Sequence, residues 1–141
     1  SESIAQKKPG YKLIVFDALR PQHVQRVLFA FVKGTPQEKY VANPDRGSMH
    51  SFGFAVDLSV IDDKGKELDM GTPFDDFTDL SQPQLEQKFL KEGKLSRAQY
   101  DNRMLLRNAM EAAGFKVLDH EWWHFDALPQ SEVRTNFKIV E

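Results

Sequence analysis

Between Phe54 and Val60 the chain alternates strictly. Phe54, Val56, Leu58 and Val60 fall on one face of an extended segment, and Ala55, Asp57 and Ser59 on the other. That period of two specifies a strand whose large apolar face packs on a core. The face of small residues leaves room beside the Asp57 carboxylate. An isolated Asp among strand-forming residues is unfavourable unless its charge is compensated. A bound cation or an arginine would each serve, and the segment alone does not choose between them.

Other elements can be read around this strand. Tyr11–Phe16 is a short apolar, β-branched run after Pro9-Gly10 and reads as a strand. Pro21 suits the first turn of a helix and pushes Arg20 out of the helical region. The helix that follows carries Val24, Val27, Leu28 and Phe31 at i, i+3, i+4, i+7, predicting an inward apolar stripe that stops at Gly34. Asp62-Asp63-Lys64-Gly65 reads as a turn joining strands around Val60 and Glu67–Met70. Ser81–Gly93 has a partial helical pattern. Ser96 with Gln99 forms a capping box for a helix over about 97–113, with Leu105, Ala109 and Ala112 inward, widened by Leu106, Met110 and Ala113. Gly114 ends it, Phe115–Leu118 reads as a strand, and Phe137–Val140 as a short terminal one.

Length and composition narrow the function classes. A chain of 141 residues fits one domain, 1–141, able to bury about two-thirds of its unfolded surface. The net charge of -2 gives no reason to expect nucleic acid or an anionic membrane as partner. No apolar run approaches the roughly 20 residues of a membrane span. Cysteine is absent, which excludes disulfides and thiolate metal ligands and leaves the redox compartment open. The chain begins at Ser1 with no Met, so removal of an upstream segment is expected, and Ser1–Pro9 reads as a loose end.

The stretch His120-Glu121-Trp122-Trp123-His124-Phe125-Asp126 concentrates two imidazoles, two carboxylates and both tryptophans. It matches H-E-x-x-H, a zinc-protease pattern that works only on a helix. The surrounding residues oppose a helix. Gly114 has already ended the previous one, and Trp-Trp-Phe favours a strand with Trp122, His124 and Asp126 on one face. A different grouping uses the residues better. His50 lies seven positions before Asp57, and Gly53 between them can supply the bend that aims both at one point. His50, Asp57 and His124 then make two nitrogens and a carboxylate oxygen, which suits zinc with an open fourth position for water. Glu121 is the candidate general base, provided that it sits where the strand begins irregularly and turns toward His124. Arg20, where a strand hands over to a helix, is a candidate cation for the oxyanion of a tetrahedral intermediate. Taken singly, each residue has a plainer explanation; a lone Arg is most often a surface ion pair. Their joint presence favours the catalytic reading.

These residues resemble the D-alanyl-D-alanine dipeptidases (VanX type), within the wider group of D-Ala-D-Ala metallopeptidases. Three blocks carry the resemblance: Asp17-Ala18-Leu19-Arg20-Pro21, Ser48-x-His50-x-x-Gly53-x-Ala55-x-Asp57-Leu58, and Glu121-Trp122-Trp123-His124-Phe125. Similarity also runs through Met70-Gly71-Thr72-Pro73-Phe74-Asp75 and the Arg103–Phe115 helix, and covers most of the chain from about residue 10. The resemblance implies a small α+β domain, hedgehog-like, with an antiparallel sheet packed by two or three helices and a zinc site on the sheet. It implies one zinc per chain at His50, Asp57 and His124, a base at Glu121 and a transition-state role for Arg20. It further implies that Asp75 receives the ammonium of a free dipeptide, with Ser48 near the substrate. An acidic group on the substrate amine would reject a blocked N-terminus. His120 is outside the family pattern and is expected to be a surface or outer residue. Fewer residues precede Tyr11 than is usual in the family, so a processed fragment or a more open cleft is expected.

The leading expectation is therefore zinc-dependent hydrolysis of D-alanyl-D-alanine, with a small peptide as partner, in a bacterium, in the periplasm or cell envelope rather than the cytoplasm. The alternatives are a D,D-carboxypeptidase or endopeptidase acting on longer wall peptides, and a non-catalytic wall-binding module. The sequence does not set the oligomeric state.

Overall fold

The structure is a computed structural model that describes residues 8–45 and 47–141. The loose opening expected over Ser1–Pro9 falls mostly outside the described residues. Four strands are present among them: β1 (Lys12–Asp17), β2 (Ala55–Ile61), β3 (Lys116–Leu118) and β4 (Glu121–Asp126). They form one sheet in the order β1-β2-β4-β3, each neighbouring pair antiparallel. Four α-helices accompany them: α1 (Gln22–Val32), α2 (Glu86–Lys91), α3 (Arg97–Ala112) and α4 (Gln130–Asn136). This is the α+β arrangement expected, with one helix more than anticipated.

The main core lies between α3 and the sheet. Leu58 and Val60 from β2, Leu106 and Met110 from α3, and Trp122, Trp123 and Phe125 from β4 pack together in it. Each such side chain contributes about 1.5–3 kcal/mol relative to exposure. The capping box starts α3 as expected: Gln99 N–H donates to Ser96 Oγ at 3.1 Å, and Ser96 N–H to Gln99 Oε1 at 2.9 Å. The inward stripe is rotated from the one predicted. Ala112 and Ala113 are exposed, and the buried positions are Arg103, Leu106, Ala109 and Met110. An arginine reads as a surface residue until the acceptors it meets are known. Here they come from a loop distant in sequence.

The stripe on α1 is a larger correction. Val27 is 68% exposed and Phe31 88%, whereas Gln25 is fully buried and Gln22 nearly so. The inward face of α1 is polar because it has hydrogen-bonding work there. Gln25 Nε2 donates to Ala42 O at 2.6 Å, Gln25 Oε1 accepts from Arg20 at 2.9 Å, and Gln22 Nε2 donates to Pro44 O. These bonds outweigh the few apolar contacts a short helix offers.

Two expected strands are absent. The Asp62 turn forms, with Asp62 Oδ1 accepting from the Lys64 and Lys66 amides at 2.9 Å each, but its second arm shrinks to one bridge between Ile61 and Glu67. Beyond it the chain is drawn to α3, where Asn102 and Arg103 donate to Asp69 O (2.9 Å) and Met70 O (2.7 Å). Phe137–Val140 is no strand either. Instead Val140 N–H donates to Ser51 O (2.8 Å) and its carbonyl accepts from Gln22 N–H (2.7 Å), stitching α1 to the His50 loop. Below that loop, Val133 of α4 packs with Met49, Phe52 and Ala55 in a second small cluster.

Candidate active site

The β2–β4 register puts Asp57 directly opposite His124, so both side chains leave the same face of the sheet. His50 arrives from the preceding loop. Gly53, at φ 78°, makes the reversal, with Gly53 N–H and Phe54 N–H donating to His50 O and Met49 O at 3.1 Å. A side chain at Gly53 would force a left-handed backbone on a non-glycine residue. His50 Nε2 comes to 3.0 Å from Asp57 Oδ1, and His124 Nδ1 to 3.1 Å from the same oxygen. All three side chains are buried, with one ligand atom from each within 4.8 Å of the others. This is a set that could hold a metal ion.

The outer nitrogen of each ring is engaged. His50 Nδ1 is 2.7 Å from Ala18 O, which makes that nitrogen the donor there and turns Nε2 toward the cluster. His124 Nε2 is 2.7 Å from Asp126 Oδ1. Asp126 went unnamed in the sequence as a functional residue. Its signal was there, because it lies two positions beyond His124 on the same strand face.

Glu121 is the first residue of β4 and is where the β3–β4 register breaks, with Leu118 opposite it. In an unbroken strand an offset of three would point it away from His124. At this irregular start its Oε2 lies 3.7 Å from His124 Nδ1. Burial pushes its carboxyl up to about 7; His124 opposes that shift, and Asp57 and Asp75 add to it. His124 is subject to opposite pressures. Burial disfavours its charge, but hydrogen bonds to Asp126 and Asp57 prevail and lift it to about 10. Asp57 shows the complementary behaviour: burial raises its carboxyl, yet hydrogen bonds from His124 and His50 hold it below the usual range. Asp57, Glu121 and Asp126 thus create a field that favours a cation at this point.

Arg20 follows β1 and precedes α1, as the sequence indicated. Its Nε donates to Asp17 Oδ2 at 3.1 Å, Nη2 pairs with the same oxygen, and Nη1 donates to Gln25 Oε1 at 2.9 Å. Its own amide donates to His50 O at 2.9 Å, which joins the arginine turn to the histidine loop. Asp17 and Gln25 were missed from sequence: the first reads as a strand end, the second as a polar gap in an apolar helix. Ser48 is buried, its Oγ accepting from His50 N–H at 3.2 Å. Asp75 stands at the open side in a left-handed conformation, φ 63°, and desolvation together with Asp57 raises its carboxyl above the ordinary value.

A cleft of about 280 Å³ receives all seven residues singled out in the sequence: Arg20, Ser48, His50, Asp57, Asp75, Glu121 and His124. Leu28, Phe31 and Val32 of α1 form part of its apolar wall. His120 is not among them. It is exposed just before β4, with Nδ1 3.3 Å from Gln84 Nε2.

Known proteins share this chain's sequence along nearly its whole length. The family described as D-ala-D-ala dipeptidase matches residues 1–140. Among curated proteins, the D-alanyl-D-alanine dipeptidase of Escherichia coli (strain K12) is 38% identical over 93% of this chain and 62% of its own length. The D-alanyl-D-alanine dipeptidase of Synechocystis is 30% identical over 87% of this chain and 62% of its own. That of Enterococcus faecalis is 28% identical over 93% and 69%. The chain therefore spans less than two thirds of the length of the first two.

Proposed function

Because this chain belongs to the D-alanyl-D-alanine dipeptidase family, we propose that it is a zinc-dependent hydrolase that cleaves free D-alanyl-D-alanine into two D-alanine molecules. The observation that carries the reading is the buried His50-Asp57-His124 set with Glu121 beside it and Arg20 and Asp75 in the same cleft. The donor set fits zinc. Ligands at about 2.0–2.1 Å around a tetrahedral ion stand roughly 3.3–3.4 Å apart, and the two histidine nitrogens approach Asp57 at 3.0 and 3.1 Å. When bound, zinc supplies Lewis acidity at the reacting carbonyl.

The chain's own groups do the rest. Glu121 takes the proton of the attacking water and passes it to the departing amine; a carboxyl raised by burial is suited to both transfers. Arg20, oriented by Asp17 and Gln25, faces the negative charge that gathers on the carbonyl oxygen. Asp75 accepts from the substrate ammonium at the open side of the cleft, with Ser48 lining the inner side. Asp126 orients His124 through Nε2. Asp126→Asn is expected to weaken zinc binding by about 10- to 100-fold, measured by competition with a chromogenic chelator; unchanged affinity would remove Asp126 from the site.

The decisive assay compares zinc-loaded protein on D-alanyl-D-alanine and on its N-acetyl derivative, with and without chelator. Release of D-alanine from the free dipeptide alone, lost with chelator and restored by zinc, is the expected result. Preference for the acylated peptide would favour the alternative, a D,D-carboxypeptidase or endopeptidase on longer wall peptides. Phe31, exposed on the cleft wall, would offer such substrates an apolar contact. Metal-loaded protein inactive on all of them would favour a binding module. The substrate points to peptidoglycan turnover in a bacterial envelope or periplasm, which fractionation of the native protein would check. No described helix is long and apolar enough to cross a membrane.

A further inference from the structure

The loop from Gly71 to Leu80 delivers Asp75 to the cleft, and it has no regular structure before the single turn at Asp79–Ser81. At φ 63° Asp75 is the only described residue other than glycine with positive φ. A conformation of that kind persists when its surroundings over-determine it. The surroundings here begin with Arg103. Its side chain is fully buried, yet it belongs to no part of the cleft. Nε donates to Met70 O at 2.7 Å and Nη2 to Leu80 O at 2.8 Å, while Nη1 reaches Glu86 Oε1 at 3.3 Å. Met70 and Leu80 are the two ends of the Asp75 loop. One rigid guanidinium therefore closes the loop at its base. Glu86 is itself gripped by Arg107 at 2.7 and 3.0 Å, which fixes the direction of the fork.

The middle of the loop is held from β4. Trp122 Nε1 donates to Thr72 Oγ1 at 2.8 Å, and Thr72 shares a 2.7 Å hydrogen bond with Ser81 Oγ. Phe74, next to Asp75, stacks on Phe16 at 4.5 Å and meets Trp123 edge-on at 5.6 Å. The two tryptophans between Glu121 and His124 thus tie the Asp75 loop to the strand that carries the chemistry.

We propose that Arg103 is a positioning residue for substrate binding: by clasping both ends of the 71–80 loop it sets Asp75 where the ammonium of the substrate is received. This rests on the reading of Asp75 given above. Arg103→Lys keeps the charge but not the planar fork, and an ammonium cannot span both carbonyls and Glu86 in the same geometry. For the folded, zinc-loaded Arg103→Lys protein, KM for D-alanyl-D-alanine should rise about tenfold or more, with kcat within about threefold of the parent. Asp75→Asn should show the same split. In the double variant the two effects should overlap rather than multiply, because both remove one subsite. A purely structural role for Arg103 would lower kcat with zinc content, or multiply with Asp75→Asn.

If Arg103→Lys does not fold, Glu86→Gln loosens the same fork while keeping its shape, and should give a smaller KM effect that likewise vanishes in the Asp75→Asn background. An unchanged KM in the folded Arg103→Lys protein, or full multiplication in the double variant, overturns the clasp alone, provided Asp75→Asn itself raises KM. An unchanged KM in Asp75→Asn overturns the ammonium subsite and the clasp with it.

Discussion

Glu121→Gln is expected to keep one zinc per chain and to lose D-alanine release by about 10²- to 10⁴-fold, the range for removing a positioned general base. The substitution preserves shape and removes the proton acceptor. Its site is closely defined: Glu121 opens β4 at a register break, and its carboxylate lies 3.7 Å from His124 Nδ1 in a side-chain environment only 12% exposed. Burial already raises this carboxyl to about 7, so replacing it by a neutral amide relieves a buried charge and should not harm the fold. Metal content and kcat, measured on the same preparation, separate the outcomes. Turnover within threefold of the parent would sink the proposed role, and loss of zinc would recast Glu121 as a ligand.

His124→Ala is expected to strip the metal, whereas His120→Ala should keep it at parent stoichiometry and leave turnover unchanged. The two histidines belong to the same H-E-x-x-H string, and on a helix they would be equivalent ligands. On a strand they diverge. His124 faces Asp57 across the β2–β4 ladder, and His120 lies outside β4 beside Gln84. Loss of one of three ligands should weaken zinc by more than the roughly 10- to 100-fold typical of an outer partner. His124→Ala also leaves Asp57 buried with one imidazole partner fewer, so fluorescence of Trp122 and Trp123 should accompany the metal assay to establish that the core is intact. Stoichiometric zinc in a folded His124→Ala protein would refute the site; zinc loss in His120→Ala would revive the helical motif.

The candidate site was more legible than the fold around it. His50, Asp57, Glu121, His124 and Arg20 could be named because chemistry restricts which residue types converge on a metal and a carbonyl, and because the strand period exposes an out-of-place Asp. The irregular start of β4 was likewise inferable, since a base three positions from a ligand cannot face it in a regular strand. What failed was the assignment of faces where polar groups find distant partners. Val24, Val27, Leu28 and Phe31 make a convincing inward stripe, yet Gln25 is the buried residue because Arg20 and Ala42 await it. Arg103 sits inside for the same reason, with Met70 O, Leu80 O and Glu86 as its partners.

By itself the sequence determined the four strands of the sheet, but wrongly added two more at Glu67–Met70 and Phe137–Val140. It also determined the α3 cap and glycine stop, and named side chains whose chemistry suits binding a metal and moving a proton. These follow from local periodicity, backbone freedom and side-chain chemistry. Only the tertiary structure decided that Asp126 backs His124, that Asp17 and Gln25 aim Arg20, and that Arg103 closes the loop bearing Asp75. A buried polar group is stable only with its partners in place, and for Gln25 and Arg103 those partners come from segments far along the chain. For Asp126 and Asp17 the partner is a near neighbour in sequence, and it is strand pairing, with the register break at the end of β1 and the turn after it, that aims the side chains.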